Sequence, residues 1–152
     1  MSKFYAEASA YRLAVGHGII PFTKAVSWAD DLILADDDHS SELYDLSLAA
    51  DLNTAVSALS ALVAFQEFIK DDTVKFAFQL FAKGTTDYKG LIKIARAMEE
   101  MEGTDITPSK DAGKYMFSAR WVLEDAHAGH YGCYEEVAKE FISFVEKYAC
   151  FT

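Results

Sequence analysis

Residues 52–65 read LNTAVSALSALVAF, a run without a single charge. Its apolar side chains fall on nearly every side of a helical projection, the signature of a helix buried by its neighbours. The charge-free stretch extends from Leu52 to Gln66, fifteen residues, and is interrupted by Asn53, Thr54, Ser57 and Ser60. A bilayer span needs about 20 apolar residues, so the run reads as the central helix of a globule.

Helical spacing continues on both sides of it. Phe4, Ala8, Tyr11 and Val15 recur at i, i+4, i+7 and i+11, and Gly16 and Gly18 are placed to end that helix with a left-handed residue. Pro21 suits the opening of a second helix, whose Phe22, Val26, Ala29 and Ile33 repeat the pattern. A short helix over 40–50 turns Leu43, Leu46 and Ala50 inward, with Glu42 in its first turn facing the positive end of the dipole. Beyond the central run, Val74, Ala77, Phe78 and Phe81 define a helix stopping at Gly84; Leu91, Ile94, Ala95, Met98 and Met101 define another ending at Gly103. Thr107 and Pro108 form a plausible N-cap and first position for a helix carrying Met116, Ala119, Val122, Leu123 and Ala126 inward. After AGHYG (128–132), a last helix buries Val137, Phe141, Val145 and Tyr148. Strict two-residue alternation bounded by hairpin turns does not occur. The expectation is an all-α fold: one domain over 1–152, a compact bundle of seven or eight helices with short loops and a buried central helix.

Composition agrees with a globular chain. Of 152 residues, 51% are hydrophobic and 14% aromatic, with two prolines, far from the profile of a disordered segment. The first residues, MSKFYAEASAYRLAVGHG, place Glu7 and Arg12 where a signal peptide carries an apolar core, and Cys133 and Cys150 are too few for a disulfide framework. A cytosolic protein is expected.

Formal charge is −10 and unevenly spread. No Lys or Arg occurs from Ala25 to Ile69, a stretch with nine acids, and seven of those lie in WADDLILADDDHSSELYD, Trp28 to Asp45. Such a field repels nucleic acid and anionic membranes and speeds encounter with a basic partner. An EF-hand reading of the acidic run fails: a loop starting at Asp36 needs Gly sixth and a bidentate Glu twelfth, where the sequence has Ser41 and Ser47. The docking reading takes Trp28, Asp30, Asp31, Asp36, Asp37, Asp38, Glu42, Tyr44 and Asp45 as a partner-binding set, carboxylates for steering and aromatics as anchors. Helical projection also sets Trp28 beside Phe22, Ala25, Val26 and Leu32, where it would serve the core instead.

A second cluster is EDAHAGHYGC. Glu124, His127, His130 and Cys133 stand three apart, and all four side chains ligate zinc or iron. Gly129 and Gly132 offer the bends needed to fold the second half back, giving an alternative metal- or ligand-binding site, with an enzyme among its outcomes. A di-iron bundle is excluded by count, because Glu124–His127 lacks a second inward Glu-x-x-His pair. No Gly-x-Ser-x-Gly elbow and no Gly-rich phosphate loop is present, and His17 between two glycines reads as a helix-end residue. No cofactor is called for by any motif.

In length, acidity, helical content and the Trp28-Ala29-Asp30-Asp31 segment leading into an acidic loop, the chain resembles bacterial immunity proteins that neutralise secreted nuclease toxins, including those of contact-dependent inhibition systems. The resemblance implies stoichiometric inhibition of a cognate basic toxin, in which the seven carboxylates of the set pair with toxin Lys and Arg side chains, while Tyr44 and Trp28 supply desolvated contact.

Overall fold

Small side chains decide which helix takes the middle of this molecule. The computed structural model describes residues 2–35, 41–63, 70–104 and 106–149 and forms, in chain order, α1 (Ser2–Gly16), α2 (Phe22–Ala35), α3 (Ser41–Ser47), α4 (Leu52–Val63), α5 (Lys70–Phe81), α6 (Tyr88–Gly103), α7 (Lys110–His127) and α8 (Tyr134–Ala149). These eight helices, with no strand among the described residues, are the all-α bundle that the periodicity predicts. In α1, Ala6, Ala8, Ala10 and Ala14 are buried together with Ser9, Leu13 and Val15. Alanine brings helix axes close, and α4 and α5 both pack along α1, with α2 and α6 touching it more lightly.

The central place therefore belongs to α1, where the sequence reading gives it to 52–65. Within α4, Ala55, Ala58, Leu59 and Leu62 are buried, but Asn53, Ser57, Ser60 and Ala61 face solvent. The serines and Asn53 make a narrow polar stripe, and an exposed alanine costs a helix little, so a run that is charge-free still has an outside. Residues 64 and 65 of the run lie outside the described residues.

A second layer completes the core. α8 packs on α5, α7 on α6, α7 on α8, and the α2–α3 hairpin on α4. Phe78, Phe81, Met98, Met101, Met116, Leu123 and Phe141 are fully enclosed at the centre of these contacts.

Helix ends follow local chemistry. Gly18, at φ +74°, takes the left-handed conformation after α1, and Ile19 N–H returns to Ala14 O at 2.8 Å. α3 stops at Ser47, and Ala50 is exposed rather than inward, because the Asp51 carboxylate accepts the Thr54 N–H at 2.8 Å and starts α4 there. α7 is capped by Ser109, which accepts the Ala112 N–H at 3.1 Å, not by Thr107. Pro108 consequently precedes the helix. The α7 core stripe is Ala112, Met116, Ala119, Leu123 and Ala126; Val122, expected inward, is exposed because it sits about 100° away from Leu123 around the axis. Among the described residues no helix is long and apolar enough to cross a membrane.

Candidate functional site

The two acidic helices α2 and α3 pack together, and the Ser47 hydroxyl of α3 donates to the Asp30 carboxylate of α2. Leu43 and Leu46 of α3 and Ala25 and Ala29 of α2 point inward. Their opposite faces carry Asp30, Tyr44 and Asp45, all exposed, with Glu42 half-buried. Two leucines share that outer side. Leu34, one turn beyond Asp30, is 85% exposed, and Leu48, next to Ser47, is 81% exposed. Asp36, Asp37 and Asp38 lie outside the described residues.

Asp31 and Trp28 belong to a different face of α2. Trp28 is half-buried against α1, its indole stacked on Phe4 (centroids 5.6 Å apart, planes at 20°) and leaning on Tyr11 (5.1 Å, 35°), while Nε1–H donates to Glu7 Oε2 at 2.7 Å. The core alternative weighed for Trp28 is thus what its contacts display. α2 approaches α1 through these large rings rather than through close backbone, and the separation opens a cleft of about 600 Å³ between α1, α2 and the end of α5. Tyr11, Ile20, Trp28 and Leu80 form its apolar walls; Lys24, Lys83 and Asp31 reach it from the rim. A smaller continuation runs on beside Glu7, Phe76 and Gln79. The Tyr11 phenol is held above its ordinary pKa, first by burial and then by the negative charges of Glu7 and Asp31.

The second cluster does not come together. His127 lies flat on Tyr88, ring centroids 3.6 Å apart and planes at 7°, with Tyr134 edge-on at 5.2 Å. Glu124 is engaged by Arg120, whose Nη1 donates to it at 3.1 Å while Nε donates to Glu99 at 2.7 Å. His127, His130 and Cys133 are exposed. Among the described residues no three His, Cys, Asp or Glu side chains gather as metal ligands would, and Glu124, His127, His130 and Cys133 are not brought together. Gly129 and Gly132 both take positive φ, at 79° and 73°, but the bends they make carry the chain into α8 and leave the four side chains apart. His127 instead pins α7 to α6 and α8.

His17 is a helix-end residue with a partner. Its Nε2 stands 3.3 Å from Glu100 Oε1, and Arg12 Nη2 donates to Glu100 Oε2 at 2.8 Å, linking α1 to α6. The hydrogen bond to His17 and the Arg12 guanidinium together outweigh partial burial and hold the Glu100 carboxyl down to about 2.

Two surface features escape the acid-centred sequence reading. Leu34 and Leu48 lie in plain view of the periodicity, since neither falls on the Ala25–Ala29 or Leu43–Leu46 stripe. On α7, Phe117 and Trp121 are about half exposed and meet edge to face at 5.3 Å, one turn apart on the side opposite the core stripe. A helical projection centred on Met116 and Leu123 would have found both. No family model matches the chain, and no curated protein or solved structure matches it either.

Proposed function

We propose that this protein acts by binding, as a stoichiometric inhibitor that sets the outer face of the α2–α3 hairpin against a basic protein, a nuclease toxin domain of the kind the sequence resemblance implies. The observation that carries the reading is the pairing of Leu34 and Leu48 with Asp30, Tyr44 and Asp45 on a hairpin with no Lys or Arg from Ala25 to Ile69. Interfaces of this kind combine a few desolvated apolar anchors with a charged rim, and the rim sets association rate and partner choice more than affinity. The Ser47–Asp30 bond fixes the two arms relative to each other, so little side-chain ordering remains to be done on docking.

The proposal expects a gene beside this chain's own to encode a basic nuclease toxin domain, and that domain is the partner to assay. At equimolar ratio the chain should abolish nuclease activity, with an association rate that falls steeply as salt rises from about 50 to 500 mM, because exposed charges are screened over about 10 Å at 0.1 M and less above it. Asp30→Lys combined with Asp45→Lys should slow association by at least about ten-fold, and Leu48→Ser should speed dissociation. An association rate insensitive to salt and to both charge reversals, or a toxin left fully active, would end the proposal.

A further inference from the structure

The cleft between α1, α2 and α5 has a polarity that the docking face does not use, and the inference drawn from it stands independently of the proposed inhibitor role. Lys24, Trp28 and Asp31 lie at i, i+4 and i+7 on one side of α2, so the lysine and the aspartate are separated by about 10 Å along the axis with the indole between them. Lys83 and Thr85, from the turn after α5, line the cleft with Ile19 and Ile20, and Lys83 also lines the smaller hollow with Glu7; the packing of Gly84 on Ile19 holds that turn in place, since a Cβ there would lie 2.8 Å from Ile19 Cγ2. Glu7 and Asp31 both act on Tyr11 through their negative charge.

Lys24 and Lys83 make no salt bridge among the described residues, in a chain whose net charge is −10. The nearby Glu7 carboxylate accepts the Trp28 indole N–H through Oε2. That bond also takes up the indole's one donor, so what Trp28 offers the cleft is apolar. The Tyr11 hydroxyl makes no hydrogen bond among the described residues, although the ring is half-buried. A volume of about 600 Å³ lies in the range that holds small organic ligands, which are gripped by apolar walls and oriented by a few polar groups.

We infer that this cleft is a binding site for a small flat aromatic anion, its rings lying along Trp28, Tyr11 and Leu80 and its single negative group between Lys24 and Lys83. Asp31, about 10 Å from Lys24 along α2, disfavours the reversed orientation and any dianion with charge at both ends.

The probe is 1-anilinonaphthalene-8-sulfonate, compared with N-phenyl-1-naphthylamine, which has the same rings and no charge. Titration calorimetry with the sulfonate should give one site per chain, and amide NMR shifts should cluster at Tyr11, Trp28, Leu80 and Lys83. The double variant Lys24→Gln, Lys83→Gln should weaken the sulfonate by at least about ten-fold and leave the neutral amine unaffected; circular dichroism and thermal melting confirm that the variant is folded. Four results would each overturn the inference: no saturable binding of the sulfonate, shifts centred on Phe117 and Trp121 instead, equal affinity for the neutral amine, or a double variant that binds the sulfonate as tightly as the parent.

Discussion

Trp28 gives its indole N–H to the Glu7 carboxylate at 2.7 Å, so the residue that the sequence offers as an interface anchor is spoken for inside the molecule. The bond joins α2 to α1 where backbone contact between them is slight, and it sets which edge of the indole faces the cleft.

Replacing Trp28 by Phe keeps a ring on Phe4 and Tyr11 but strands a half-buried carboxylate. The expected cost is about 1 to 2 kcal/mol, the range for losing one charge-assisted hydrogen bond plus some packing area. Urea unfolding of Trp28→Phe measures it. A loss within about 0.3 kcal/mol would mean that the bond contributes nothing net in solution.

Glu100 gives the protein a defined acid limit. Its carboxyl is lowered to about 2 in the folded state from an ordinary 4.5, so both states are largely ionised above about pH 5 and the Arg12 contact contributes in full there. As pH falls from 4.5 toward 2, the unfolded chain takes up the proton first and that stability drains away. Glu100 is more than a third exposed to solvent, which leaves roughly 1 kcal/mol of contribution after screening. Melting curves of the parent and of Glu100→Gln should stand apart near pH 5 and converge as pH falls below 4.5. Parallel curves down to pH 2.5 would show that Glu100 titrates normally.

Gly90 is required by a cap. Asp87 accepts the Gly90 N–H at 3.0 Å and the Thr85 hydroxyl at 2.9 Å, closing the turn onto the first residues of α6. A Cβ at position 90 would collide with the Thr85 carbonyl and hydroxyl oxygens, and backbone cannot step aside as a flexible side chain would. Gly90→Ala should therefore destabilise by about 2 to 3 kcal/mol, even though alanine is the better helix former by about 1 kcal/mol. A neutral or stabilising result by chemical denaturation would show that the turn relaxes freely.

Thr73 offers the opposite case. Its side chain is fully buried in α5, and Oγ1 has no hydrogen-bond partner among the described residues. Thr73→Val keeps the shape and removes the orphaned hydroxyl, with an expected gain of about 1 kcal/mol in thermal or urea unfolding. A loss of stability would reveal an acceptor for that hydroxyl.

Periodicity made the helices legible because most of them bury one clean stripe: Leu91, Ile94, Ala95, Met98 and Met101 are all enclosed as spacing predicts. It misjudged the centre of the bundle because counting apolar residues cannot tell a helix that is merely uncharged, as α4 is, from one whose small side chains let two neighbours close on it, as α1's alanines do. For the docking set, charge alone could not separate Asp30 from Asp31. The two are adjacent in sequence and about 100° apart around α2, one bonded to α3 and the other rimming the cleft. Likewise the three-residue spacing of Glu124, His127, His130 and Cys133 carried no information on the aromatic stack that claims His127.

That α1 lies between α4 and α5 also has a bearing on how the chain acquires its shape. The alanine-lined face is made early during synthesis, yet half of its cover does not exist until residue 81 has been added. A nascent chain therefore carries an incompletely wrapped apolar ridge until α5 has been made, and closing it depends on contacts between segments far apart in sequence, which slow folding relative to a bundle of neighbours. Shortened versions ending before α5 would expose that ridge permanently, which makes them candidates for aggregation or for capture by chaperones.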